Sequence, residues 1–158
     1  MKTQGELWNE GLNLLLNREY KKAEKFLLKA LKTKDDTLQY RHLTYNALIR
    51  LYYKLRDKRK DALEKCIHYC KEDINILPDF LKQEKKEYGA VPTCTSVIQL
   101  AIIYEKKYEC QKAIDISNIA IKLGLEDDTK SGFLGRVERL KKKLKANIGR
   151  KWQSRKKS

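Results

Sequence analysis

The chain is poor in residues that interrupt regular structure. It holds 7 glycines and 2 prolines in 158 residues. Sandwiches and barrels built from many short strands need frequent turn residues, so this scarcity argues against both. No apolar run approaches the ~18 residues that a membrane-crossing helix needs. Signatures of catalysis are missing as well: there is no G-x-G-x-x-G, no P-loop and no G-x-S-x-G. His42 and His68 are the only histidines. His68 lies between Cys66 and Cys70 but falls on another side of a helix, a poor geometry for a Cys–His dyad. Asp and Glu are mostly interleaved with Lys, as on solvated helix faces. The expectation is a protein that is not an enzyme.

Cysteine is also sparse. Cys66, Cys70, Cys94 and Cys110 include no C-x-x-C pair, which argues against a structural zinc site, and no metal or cofactor is expected. The opening MKTQGELWNEG has no apolar leader segment. The expectation is a cytoplasmic protein whose reduced thiols behave as small apolar residues.

What is plentiful is charge. Charged residues make up 36% of the chain and apolar residues 41%, for a formal net charge of +15. That balance fits helices with narrow apolar stripes better than a disordered chain. The charge is concentrated: from Arg136 to Ser158 there are eleven Lys/Arg and one acid, Glu138, so ten of the fifteen charges lie there. A mildly basic body bears a strongly basic C-terminus.

The apolar pattern is helical nearly throughout. Leu12, Leu15 and Leu16, then Ala23, Phe26, Leu27, Ala30 and Leu31, recur at three- and four-residue spacing. The phase changes at Arg18-Glu19, which marks a turn between two short helices. Such a hairpin cannot bury its apolar faces alone, so further copies are expected. The segment Gly11-x8-Tyr20-x2-Ala23-x3-Leu27-x2-Ala30 resembles the tetratricopeptide repeat, a helix–turn–helix unit of ~34 residues. Gly11, Ala23 and Ala30 match the family's small positions. Leu7, Leu14, Tyr20 and Leu27 match its large ones, and Asp35 stands where Pro is frequent. A looser copy places Ala62, Cys66 and Tyr69 parallel to Ala23, Leu27 and Ala30. A third places Ala101, Tyr104, Ala113, Ser117 and Ala120 in the Gly11, Leu14, Ala23, Leu27 and Ala30 positions.

The resemblance implies an all-α fold: about three antiparallel hairpins in a short right-handed solenoid, closed by a C-terminal capping helix. The expected organisation is one domain over 1–148, with repeats at about 4–37, 41–76 and 94–124. An insertion at 77–93 holds both prolines, and Asp79–Lys86 between them reads as a separate short helix. The acidic run Glu126–Thr129 suits the start of the capping helix, expected at 129–148. Phe133, Leu134, Val137, Leu140, Leu144 and Ile148 form its apolar stripe. From 149 to 158 the periodicity is lost, and a basic disordered tail is expected. An unrelated bundle of antiparallel helices gives the same pattern and stays open.

In the family, the first helix of each pair lines a concave face that binds extended peptides. Carried over by position, that face includes Trp8, Asn9, Tyr45, Asn46, Tyr53 and Gln99 here. Asn9, Asn46 and Gln99 share one repeat position, and a ladder of amides can both donate to and accept from a peptide backbone. The aromatic residues offer contact area at low entropy cost. The five positions with which one subset of the family grips a terminal carboxylate are Trp8, Leu12, Asn46, Thr95 and Gln99. Only Asn46 fits, so that ligand is not expected. The reading is a non-catalytic adaptor or scaffold that binds an unidentified protein or peptide. The alternative is an RNA- or DNA-associated protein. It would use Arg139, Lys142, Arg150, Lys151, Trp152 and Arg155, cations around an aromatic ring that can stack on a base. Self-association through an exposed groove is a third expectation.

Overall fold

A computed structural model describes residues 1–157. Its seven helices are α1 (Gln4–Leu16), α2 (Tyr20–Ala30), α3 (Leu38–Leu55), α4 (Ala62–Tyr88), α5 (Thr95–Lys106), α6 (Cys110–Lys122) and α7 (Gly132–Lys156), with no strand among the described residues. The fold is all-α. The helices form two compact units, Met1–Ala90 and the chain from Val91 onward, divided within the expected insertion.

In the first unit α1 packs on α2, α3 lies against both, and α4 packs on α3. α1 starts with a capping box, in which Thr3 accepts from the Glu6 backbone and the Glu6 carboxylate accepts from the Thr3 backbone. Its crossing with α2 is close because Gly11 has no side chain. A Cβ there would stand 2.7 Å from Cγ of Leu27. Ala23, Leu27 and Ala30 are fully buried on the α2 side of this contact. In the second unit α6 packs on both α5 and α7.

The turns of two hairpins are built alike. After α1, Arg18 takes a left-handed φ of 63°; after α5, Tyr108 takes one of 58°. The Arg18 N–H donates to Leu15 and the Glu19 N–H to Leu14. The Tyr108 N–H donates to Glu105 and the Glu109 N–H to Tyr104. Each is a Schellman motif, formed here without the glycine that usually marks it. α6 ends in the same motif, with Gly124 at the left-handed position.

Three expectations are corrected. The separate helix at Asp79–Lys86 is the end of α4, which runs through Pro78 without a break and stops at Gly89. Pro78 is exposed, while Leu77, Phe80 and Leu81 on either side of it are buried. That burial outweighs the backbone hydrogen bond lost at the proline. The run Glu126–Thr129 is not the first turn of α7. Asp127 instead accepts from the Thr129 N–H at 2.9 Å and from its hydroxyl, closing a local turn before the helix. At the other end α7 continues to Lys156, past the boundary at 148. Residues 149–156 include several good helix formers, and Arg155 and Lys156 in the last turn suit the negative end of the helix dipole. Ser158 lies outside the described residues. Among the described residues no helix is long and apolar enough to cross a membrane.

Candidate functional site

The residues expected to line a groove fall into different surroundings. Trp8 and Asn9 lie in the middle of α1. The Trp8 ring meets Tyr40 of α3 at 5.8 Å between centroids. Tyr40 also covers the α1 backbone at Gly5, where a Cβ would stand 2.7 Å from its Cζ. Beside this contact is a depression of about 350 Å³, lined by Gly5, Glu6 and Asn9 of α1, by Thr37 at the N-cap of α3 and by Tyr40 of α3. Asn9 is exposed here. The backbone and hydroxyl donors of Thr3 hold the Glu6 carboxyl below its usual range. Gln4, fully buried, ties the start of α1 to the segment before α3 by donating to Asp36 at 2.7 Å and accepting from the Thr37 N–H at 2.8 Å.

Tyr45 and Asn46 turn inward. Tyr45 is buried, with its ring 5.9 Å from Tyr69, and burial, with the nearby Glu72 charge, pushes its hydroxyl pKa up. Asn46 donates to Nε2 of His42 at 3.0 Å. With Nε2 as acceptor, Nδ1 keeps its proton and donates it to Asp73 of α4 at 2.7 Å. Phe80 stacks on the imidazole at 4.1 Å. Asn46 Oδ1 and Asp73 Oδ2 are buried without a hydrogen-bond partner. Both ring nitrogens of His42 are thus engaged, and the cluster ties α3 to α4. Periodicity gives no signal for it, because Asp73 reads as one more charge on a charged helix.

Tyr53 stays partly exposed, with the Arg56 guanidinium 4.1 Å over its ring. Gln99 belongs to α5 in the second unit, and its Nε2 is buried without a partner. The three amides of the expected ladder therefore differ: Asn9 faces solvent, Asn46 binds a histidine and Gln99 is half-buried.

A second polar network in the first unit went unread in the sequence. Glu24 accepts from the Tyr52 hydroxyl at 2.7 Å and from both Nη atoms of Arg59 at 2.8 and 3.2 Å. Arg59 also grips Asp61, whose carboxyl it holds well below the usual range, with Lys65 assisting. Burial, then the Glu24 carboxylate, pushes the Tyr52 hydroxyl pKa up.

In the second unit Arg136 is turned inward. It donates to Glu105 at 3.1 Å and faces Asp127 at 3.5 Å. The expected polyanion contacts point outward: Arg139, Lys142, Arg150, Lys151, Trp152 and Arg155 are all exposed on α7. Lys156 sits 3.7 Å over the Trp152 ring. All four cysteines are buried thiols outside any disulfide; neighbouring Cys66, and then burial, push the Cys70 thiol far from its reactive form. Compared with known proteins, the chain matches no protein-family model, no curated protein and no solved structure.

Proposed function

We propose that the chain is a short tetratricopeptide-like array that works as a protein-binding adaptor. The observation that carries this reading is the shared turn of the α1/α2 and α5/α6 hairpins, with Arg18 and Tyr108 at corresponding left-handed positions. It falls within the first and third of the sequence copies. Small residues accompany it at both crossings: Gly11, Ala23 and Ala30 in one hairpin, Ala101, Ala113 and Ala120 in the other. Arrays of this kind offer extended faces for partners and carry no chemistry of their own. The α1/α3 face, with Asn9 and Tyr40 around a recess and Trp8 against Tyr40, supplies an aromatic and amide surface of that sort. Four cysteine thiols outside any disulfide suit a reducing compartment such as the cytoplasm. The test is affinity capture with mass spectrometry, comparing wild type with a Trp8→Ala/Asn9→Ala variant. Loss of specific partners from the variant is expected; an unchanged set overturns the assignment of this face.

A second reading rests on α7. Every described residue after Leu144 is exposed, and Lys or Arg occupies all sides of that stretch. An exposed basic helix of this kind suits duplex or single-stranded nucleic acid. Its test is titration with RNA at ~0.15 M salt, where tight binding with a steep salt dependence supports it and weak binding removes it.

A further inference from the structure

The N-terminal end of the first unit carries a depression of about 700 Å³ that adjoins the α1/α3 recess at Thr3 and Asp35. Leu7 of α1 and Phe26 of α2 form its apolar floor, and Lys2, Lys29, Lys32 and Lys34 stand around it. The ammonium groups of Lys2 and Lys29 lie 5.3 and 5.8 Å from the Phe26 ring centroid, at the border between floor and rim. Lys2 pairs with Glu10. Among the described residues Lys29, Lys32 and Lys34 make no ion pair. The acid in the lining, Asp35, is already engaged, with both carboxylate oxygens near the Gln4 N–H at 3.3 and 3.0 Å. Three cations without counter-ions therefore surround an apolar recess.

We propose that this depression binds a free single-chain amphiphile with a carboxylate head, of the medium-chain fatty acid class. The floor accepts the chain, and the unpaired ammonium groups accept the head as charge-assisted hydrogen-bond donors. The volume lies within the ~300–1,000 Å³ of small-molecule sites. A second copy of the chain is disfavoured by like charge, since each carries +15. A partner helix needs a groove with anchors spaced along several turns, whereas this lining comes from one end of one hairpin. A bilayer surface is disfavoured because Leu7, only 7% exposed, is recessed below the rim. The site stands whether or not the α1/α3 face binds protein.

The test is calorimetry and amide-resolved NMR on the full chain. The probes are sodium dodecanoate below its micelle concentration, dodecyltrimethylammonium and phosphatidylglycerol vesicles. One dodecanoate is expected per chain, with shifts at Leu7, Phe26 and Thr33. The cationic amphiphile is expected to bind at least about tenfold more weakly. Lys32→Glu/Lys34→Glu changes exposed rim positions only, and circular dichroism checks its fold. It is expected to weaken dodecanoate about tenfold. Phe26→Ala is expected to weaken it similarly by shortening the floor. The proposal is overturned by absent binding or by equal affinity for the cationic amphiphile. Shifts gathered at Ile148 and Trp152 of α7, or vesicle binding without monomer binding, overturn it too.

Discussion

Arg18 and Tyr108 hold the same left-handed backbone conformation, at φ 63° and 58°, in the turns of two separate hairpins. Each closes the same pair of backbone hydrogen bonds to the preceding helix. Neither is a glycine, so each turn carries the steric cost of a Cβ in that conformation, ~1–2 kcal/mol. Arg18→Gly and Tyr108→Gly are each expected to stabilise their unit by about 0.5–1 kcal/mol, less than the relieved strain because glycine loses more entropy on folding. Urea unfolding of the single and double variants measures this, with additive effects expected for two independent turns.

The Gly11–Leu27 contact tests the hairpin crossing. Gly11→Ala places a Cβ 2.7 Å from Leu27 and is expected to cost about 1–3 kcal/mol. Leu27→Ala alone costs about 2–5 kcal/mol through its cavity. The double variant is expected to lose less than the sum, since each change relieves the other. Strict additivity in a thermal-melt cycle contradicts the close crossing.

The buried His42–Asp73 pair makes a similar prediction with a different asymmetry. Asp73→Ala leaves the Nδ1–H without its acceptor and is expected to cost about 1–3 kcal/mol. His42→Ala leaves a fully buried carboxyl with no donor and is expected to cost more. Chemical denaturation of the two variants decides their order.

Glu24 sets an acid sensitivity. Burial is the strongest influence on its carboxyl and raises its pKa; hydrogen bonds from Arg59 and Tyr52, with the charges of Arg59 and Lys65, together outweigh burial and lower it. A folded value below the unfolded one adds stability above the unfolded value of about 4.3, and that stability is lost as pH falls through the folded value. Asp127 acts in the same sense: burial raises its pKa, while Thr129 and Arg136 bring it down. Urea midpoints are expected to fall below about pH 5, and Glu24→Gln to flatten that fall.

The distal part of α7 is expected to be dispensable for folding. A chain ending at Ile148 keeps Phe133, Val137 and Leu140, the buried residues of the helix stripe. Its thermal stability is expected within about 0.5 kcal/mol of the full chain, whereas Leu140→Ala costs about 2–5 kcal/mol.

Much of the architecture is legible in the sequence. Helical spacing placed α1 and α2, the repeat copies placed the regions of α3, α5 and α6, and the change of phase at Arg18-Glu19 placed a turn that no glycine announces. The small residues at 11, 23 and 30 marked a crossing that the structure closes to van der Waals contact. The stripe on α7 was legible in part: Phe133, Val137 and Leu140 are buried, but Leu134 and Ile148 are exposed at 66% and 61%. A period shows which apolar residues share a face, and neighbouring elements decide how far along the helix that face is covered.

The local alternation of apolar and charged residues by itself determined that the chain is helical, where most helices lie and where the positive charge collects. These depend on spacing along one chain, and spacing is written in the sequence. Only the tertiary structure decided that α4 crosses Pro78, that Asn46 serves His42 and that Asp127 faces Arg136. It also decided that Phe26, Leu7 and a set of lysines enclose one recess. Each of these joins residues distant in sequence or weighs local propensity against burial. The energies that settle them arise only when the elements meet.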